Sequence, residues 1–429
     1  MERDLPSIAL GRRRERTALS VGRRTEISNP MSRTTEGNVM KSKSGNMRGR
    51  VVRFGVIGVG GMGCGHCASI TRVKQARLTA VYDKDPATAE KVGKQFNVPY
   101  FLDYRQLIKA GLCDAISIAT PHPSHAPIAI DCMNAGLHVI SEKPLSERVS
   151  MAEKMVQTAK KNRVAFAVMF QRRFEPVIAK ALAIVKSGQI GKIYRTCMIS
   201  PEFRSQAYYD SGTWRATWAG EGGGVMMNQS PHIMDIFVQL CGMPSEVYGR
   251  TETRMHRIEV EDLAEALLKY PDGGTGYLYC STNESGPGQM IEIFGDKGKL
   301  VFRNGELKLY RFKPGIRRYL AFSRKMWGGP DAVEVPLKIP EKKSGHASVI
   351  ANLVRHLLYG EQLFTPGESG VASLELANAI TLSSCENRWV KLPISRAKYD
   401  ALLAKLRRGS KFVKQTVQVK RITDPRHEA

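Results

Sequence analysis

From Arg53 onward, short apolar runs alternate with longer stretches in which apolar residues recur every three or four positions. The runs Phe54–Val59, Leu78–Tyr82, Ala115–Ala119, His138–Ile140 and Ala165–Met169 predict strands, with a weaker one near Tyr100. The stretches Pro86–Phe96, Ala126–Ala135 and Met151–Asn162 predict helices between them. Strands that are apolar throughout, separated by amphipathic helices, imply a parallel sheet covered on both faces. An α/β unit is therefore expected over residues 51–171.

After Gln171 the pattern changes. A helix over Pro176–Ser187 leads into strands separated by Pro271-Asp272-Gly273-Gly274, Asp296-Lys297-Gly298 and Asn304-Gly305-Glu306. Such turn residues between apolar runs are hairpin signals. Helices follow at His346–Tyr359 and Val371–Trp389. Residues 172–429 thus read as an α+β domain with one large open sheet, mostly antiparallel, and helices on one face. No internal repeat is present.

The 429 residues suffice for about two domains, each with its own core. No run of about 18 apolar residues occurs, so no membrane span is expected. Residues 1–50 lack apolar periodicity and hold twelve Lys/Arg against five Asp/Glu. They bury too little to offset the entropy of ordering, so a disordered, dispensable basic tail is expected. Met31, Met40 and Met47 are alternative starts. The pairs Arg12-Arg13 and Arg23-Arg24 lack the apolar stretch that an export signal needs.

The formal charge is +25, and the C-terminal end is also basic, as at Lys405-Leu406-Arg407-Arg408 and Lys420-Arg421. A basic surface attracts polyanions without specificity. No nucleic-acid-binding motif accompanies it, so an anionic cofactor and substrate is the milder reading and no specific nucleic-acid partner is expected. Eight cysteines in this length are not a disulfide framework, and a reducing cytoplasm is expected. Cys132, Cys197, Cys241, Cys280 and Cys385 lie in apolar patterns, where a reduced Cys packs as a small hydrophobe. Cys64-Gly65-His66-Cys67 has redox-motif spacing. It opens a helix after a glycine turn and lacks two further zinc ligands at useful spacing, so helix packing is the reading and no metal is expected.

The first strand runs into Gly58-Val59-Gly60-Gly61-Met62-Gly63. Glycines there permit a tight turn and let backbone approach a pyrophosphate at the helix N-terminus. Asp83 ends the second strand twenty residues after Gly63, where a carboxylate accepts hydrogen bonds from the adenosine ribose and repels a 2′-phosphate. NAD is the expected cofactor, with adjacent Lys84 leaving room for NADP.

The fifth strand ends in Glu142-Lys143-Pro144. Ligands of open α/β sheets sit at the carboxyl ends of strands, so Lys143 is expected beside the nicotinamide, where its ammonium stabilises alkoxide character. The alternative is a surface Lys before a turn. In Gly222–Asp235, a continuous helix would put Asn228 and His232 on one face, with Asp235 three further on. Imidazole suits proton transfer near neutrality, although Pro231 warns that the helix begins or kinks there. Arg204, Tyr208, Trp214, Arg215 and Trp218 suit either a polyhydroxylated ring or a loop packed on its own aromatics.

Together these pieces resemble the Gfo/Idh/MocA family of glucose–fructose oxidoreductase and inositol dehydrogenase. The match comprises residues 58–63, Thr120-Pro121-His122-Pro123-Ser124-His125, Ala135-Gly136-Leu137-His138-Val139, Glu142-Lys143-Pro144, Gln171-Arg172-Arg173-Phe174, the Gly222–Asp235 segment and Ser373-Leu374-Glu375-Leu376-Ala377-Asn378-Ala379, in order over about 51–405. The resemblance implies a Rossmann domain followed by an open-sheet domain that mediates a homodimer or homotetramer. It further implies hydride transfer between NAD(P) and a secondary alcohol of a sugar, sugar derivative or cyclitol. Lys143 would touch nicotinamide and substrate, and His232 would be the general acid/base. Thr120, Pro121, His125, Glu142 and Gln171 would line the cofactor, and Arg172, Tyr208, Trp214, Arg215, Asn228 and His232 the substrate. Asn228 stands where inositol dehydrogenases carry Asp, so His232 would act alone. The alternatives are an NAD-dependent, redox-neutral glycoside hydrolase and a non-catalytic dinucleotide or sugar sensor.

Overall fold

The computed structural model describes residues 51–414, apart from Pro287, Lys343 and Lys411. The basic tail 1–50 and Lys420-Arg421 lie outside the described residues.

The first sheet comprises β1 (Val52–Ile57), β2 (Ala76–Tyr82), β3 (Tyr100–Phe101), β4 (Ala115–Ile118), β5 (His138–Ser141) and β6 (Phe166–Val168). All pairings are parallel and the order is β3-β2-β1-β4-β5-β6. The strand order reverses between β1 and β4, which opens a crevice at their carboxyl ends. Local chemistry sets the helix limits. Asp85 caps Pro86–Phe96 by accepting the Thr88 N–H at 3.0 Å, and Asn97 ends it in the left-handed conformation.

The second sheet adds β7 (Ile193–Pro201), β8 (Glu246–Glu252), β9 (Leu263–Lys269), β10 (Thr275–Ser281), β11 (Met290–Gly295), β12 (Gly298–Arg303), β13 (Glu306–Lys313), β14 (Asp331–Val335) and β15 (Val390–Lys391). Its order is β14-β13-β12-β11-β7-β10-β9-β8-β15, antiparallel except for β7 with β10. The three turn signals join β9 to β10, β11 to β12 and β12 to β13. Helices Pro231–Cys241 and Ser369–Glu386 cover one face, with Ile233, Phe237, Leu376 and Ile380 buried in a core shared with Leu268 and Leu278.

The chain returns to the first sheet late. Helix His346–Tyr359 buries Val349, Ile350 and Leu353 with Val52, Phe54 and Ile70, each such side chain contributing about 1.5–3 kcal/mol. This return brings the start of that helix, at His346, beside the end of β5.

The eight cysteines are free. Cys67 is buried and its thiol is pushed up to about 12 by burial, which makes it a packing residue. Cys385, expected in an apolar pattern, is exposed instead. Among the described residues no helix is long and apolar enough to cross a membrane.

Candidate active site

The glycine loop divides its labour. Gly58 has φ +87°, and a Cβ there would lie 2.7 Å from Thr120 Cγ2. A Cβ on Gly63 would lie 1.8 Å from the Gly58 carbonyl oxygen, so the helix packs directly onto the turn. A Cβ on Gly60 would meet nothing within 4 Å. That open side, at the start of helix Gly61–Thr71, leaves room for a pyrophosphate. Gly61 is exposed and Met62 half-buried in the first turn.

Asp83 is tied to the same loop, accepting the Val59 N–H at 2.9 Å on one oxygen and the Asp85 N–H at 3.1 Å on the other. The neighbouring Lys84 is exposed and Asp83 half-buried. A carboxylate fixed here disfavours a 2′-phosphate. Asp83→Ser is expected to raise the KM for NAD about tenfold or more, the scale of a charge-assisted hydrogen bond, and to narrow the preference over NADP. An unchanged cofactor ratio in steady-state kinetics would remove Asp83 from recognition.

Beyond β4, the buried His125 ring ties two segments together, with Nδ1 2.8 Å from the Pro144 carbonyl and Nε2 2.6 Å from the Thr120 carbonyl. Burial lowers its basicity. Pro121 is exposed at the start of helix His122–Asn134. Thr120 Oγ1 and Gln171 Oε1 are buried with no hydrogen-bond partner among the described residues. Such orphaned atoms are costly unless a ligand satisfies them. With the open cradle at Gly60, they fit the polar groups of a dinucleotide.

Beyond β5, Glu142 accepts the Lys143 N–H at 3.0 Å on one oxygen and lies 3.0 Å from His66 Nε2 through the other. The opposite His66 nitrogen lies 2.9 Å from Ser117 Oγ. His346 Nε2 approaches Glu142 at 3.9 Å. These three side chains have ligand spacing for a metal, within 4.8 Å of one another. Both His66 nitrogens and both Glu142 oxygens already have protein partners, so the cluster braces the backbone from which Lys143 projects. Burial alone would raise the Glu142 carboxyl, but the His66 bond and nearby cationic groups hold it well below the ordinary carboxylate range.

Lys143 Nζ donates to the Asn228 carbonyl at 2.9 Å, which joins the first sheet to the segment before His232. Burial lowers its pKa, opposed by Glu142, Glu202 and Glu221. The His232 pKa is held well below the ordinary imidazole value, by burial first and by the Lys143 charge second. Its Nδ1 is buried without a partner among the described residues, and its ring meets the Phe170 edge at 5.8 Å.

Of the two readings of Gly222–Asp235, the helix that begins at Pro231 is the one formed, and the continuous helix is not. The helix is Pro231–Cys241, with Pro231 as its first residue. Gly222 and Gly223 take φ of +73° and +156°, which holds residues 222–230 in turns. Asn228 therefore reaches the site from a turn, not from a helical face shared with His232. Asp235 is in the helix but faces the core, where it pairs with Arg173 at 2.5 and 2.7 Å.

The aromatic loop divides as well. Tyr209 is buried with Ala216, Ile258 and Val260. The Tyr208 hydroxyl instead receives Arg215 at 2.7 Å, Asn228 Nδ2 at 3.1 Å and Gln229 Nε2 at 3.2 Å. Arg215 also lies over the Trp214 ring at 4.7 Å, and Trp214 meets His122 edge-on. Arg172 is committed to Glu175 at 3.1 Å and Gln289 at 2.6 Å.

Sequence reasoning passed over Glu221 and His66. Glu221 is buried and bonded to Asn228 and to the Ala216 N–H. Its signal was a lone carboxylate abutting three glycines and an apolar run. His66 stood in plain view between the two cysteines of Cys-Gly-His-Cys, and its partner Glu142 is 76 residues away.

Comparison with known proteins agrees with this geometry. Residues 52–170 match the model of an oxidoreductase family with an NAD-binding Rossmann fold, and residues 178–301 match the C-terminal domain of the same family. The chain is 36% identical to inositol 2-dehydrogenase of Rubrobacter xylanophilus, over 71% of this chain and 90% of that one. It is 24% identical to myo-inositol 2-dehydrogenase of Thermotoga maritima, over 80% and 98% of the two chains. Its fold is similar to the WlbA dehydrogenase of Bordetella pertussis in complex with NADH and UDP-GlcNAcA, with TM-score 0.69 and 27% identity, covering 81% of this chain and all of that one. The chain belongs to the Gfo/Idh/MocA oxidoreductases, as an NAD(P)-dependent dehydrogenase whose first domain is an NAD-binding Rossmann fold.

Proposed function

We propose that the protein oxidises, reversibly, a secondary alcohol on a sugar, sugar derivative or cyclitol, with Lys143 and His232 as the reacting pair. The carrying observation is the 2.9 Å bond from Lys143 Nζ to the Asn228 carbonyl, which sets the ammonium against the segment leading to His232. NAD supplies the hydride acceptor when bound. Lys143 retains N–H groups beyond the one given to Asn228, and these polarise the hydroxyl oxygen and stabilise its developing negative charge. His232 remains a free base at neutral pH because burial and Lys143 disfavour its cation, so it takes the hydroxyl proton. The Arg215 guanidinium lies over both the Tyr208 and Trp214 rings, and this fork with its two aromatic faces suits a polyhydroxylated ring. Arg172 is held by Glu175 and Gln289. The outer face of β9 exposes Leu267, and a second copy of the chain across the nine-stranded sheet is the proposed cover.

The test is reduction of NAD⁺, and separately of NADP⁺, against a panel of sugars, sugar acids and cyclitols. His232→Ala is expected to lower turnover by at least about 10²-fold, the scale of a general base. Near-parental turnover would remove His232 from the mechanism. Cofactor binding with silence across the panel would shift the reading to a redox-neutral glycoside hydrolase or a sensor.

A further inference from the structure

Asn228 carries an uncharged amide, and a buried carboxylate is bonded to it. Glu221, 1% exposed, precedes the glycines that turn the chain back toward His232. It accepts from Asn228 Nδ2 through one oxygen and from the Ala216 N–H, at 2.5 Å, through the other. The second Nδ2 hydrogen goes to the Tyr208 hydroxyl at 3.1 Å. Both amide hydrogens are therefore committed, and Asn228 Oδ1 is left as the acceptor for a substrate hydroxyl. The Asn228 carbonyl meanwhile holds Lys143. One residue thus connects the buried carboxylate to the ammonium.

We propose that Glu221 is the positioning carboxylate of this active site, displaced seven residues from position 228, and that its ionised form locks the Asn228 amide with its oxygen toward substrate. The proposal rests on the reading of Lys143 and His232 as the reacting pair. Removal of the Glu221 charge releases the amide to rotate, since a protonated carboxyl can donate to Oδ1 as readily as it accepts from Nδ2.

The groups around Glu221 set the pH at which this occurs. Burial raises its pKa to about 6, opposed by the Ala216 N–H, Arg215, Lys414 and the Asn228 bond. Lys143 faces it as a further positive charge. Glu261, itself pushed up to about 7 by burial, faces it as a like charge, with Tyr208 and Tyr209 also nearby. The His122 ring approaches its backbone carbonyl at 3.1 Å and is held neutral, its pKa lowered to about 3 by burial and His125. The sign follows from the raised pKa. Glu221 is ionised above about pH 6, and the locked amide is lost as pH falls through that value. Burial and the Lys143 charge push the His232 pKa down, away from its ordinary value.

The test is a set of variants assayed for kcat, KM and their pH profiles. Glu221→Gln removes the titration but, like the protonated carboxyl, can donate to Asn228 Oδ1, so kcat/KM above neutrality should fall by up to about tenfold and the acid limb near pH 6 should disappear. Asn228→Asp sets two carboxylates face to face and should lower kcat/KM at least about tenfold. The double exchange Glu221→Gln/Asn228→Asp separates them again and should recover to within about threefold of Glu221→Gln. The same cycle read on thermal midpoints reports the contact without turnover. A persistent acid limb in Glu221→Gln, or a double exchange no better than Asn228→Asp alone in both readouts, overturns the proposal. Parental activity in Lys143→Ala would instead overturn the functional reading beneath it, leaving the thermal cycle to judge the Glu221–Asn228 contact.

Discussion

Lys143→Ala is expected to lower kcat by at least about 10²-fold while leaving NAD affinity within a few-fold of parental. The size follows from what the ammonium does. A charged donor preorganised in a water-poor site and aimed at a developing oxyanion contributes about 2.7–4 kcal/mol, and each 1.36 kcal/mol is tenfold in rate. The selectivity follows from position. The pyrophosphate cradle and Asp83 lie at the β1 and β2 ends, whereas Lys143 lies beyond β5 and reaches across to Asn228. Cofactor binding measured by quenching of intrinsic fluorescence should therefore persist when turnover is lost. Lys143→Arg is not a conservative control here, because a planar fork cannot occupy the place of a compact ammonium with three donors. It should also fall at least about tenfold, a part of the full loss. Turnover of Lys143→Ala near the parental value would leave the oxyanion without its proposed partner and would sink the mechanism.

The cofactor half of this site was legible because its signals are local. A glycine loop between a strand and a helix, and a carboxylate twenty residues on, are fixed by the geometry of one βαβ unit. Helices Pro86–Phe96 and His346–Tyr359 were equally plain, since their periodicity and end residues lie within the segments. The order of the nine-stranded sheet was not. β7 pairs with β10 and β11, and β15 joins β8 from more than a hundred residues away. Apolar alternation marks a strand without naming its neighbour. For the proposed chemical half, the sequence carries residue types but not their placement. Asn228, His232 and Asp235 have helical spacing, yet the glycines at 222 and 223 and the proline at 231 decided otherwise. The result sends the three side chains to three surroundings: a polar network, the edge of the Phe170 ring and a buried ion pair.

Asp235→Ala should destabilise the fold by about 3–5 kcal/mol, the cost of leaving one member of a buried ion pair without its partner. Arg173 and Asp235 are 3% and 1% exposed. Two parallel bonds, Nε to Oδ2 at 2.7 Å and Nη2 to Oδ1 at 2.5 Å, satisfy the fork. Two further guanidinium hydrogens go to the Phe364 and Ser369 carbonyls at 3.3 and 3.4 Å. Arg173 therefore ties three segments together: the short helix after β6, helix Pro231–Cys241 and the loop that leads into Ser369–Glu386. Alanine at 235 removes the anion but leaves this cation buried and half-bonded. Arg173→Met/Asp235→Leu should recover most of the loss, because apolar side chains of similar volume avoid the desolvation of both charges. Recovery should remain incomplete, since the two backbone carbonyls then lack their donor. The consequence reaches the chemistry through packing. The Arg173 guanidinium lies over the Phe170 ring at 5.3 Å, and that ring meets His232 at 5.8 Å. A double variant that regains stability but not kcat would show that the pair holds His232, the proposed general base, in place through Phe170. Urea unfolding of Asp235→Ala within about 1 kcal/mol of the parent would instead mean that water or a shifted neighbour compensates the guanidinium, a cost that buried cations rarely escape.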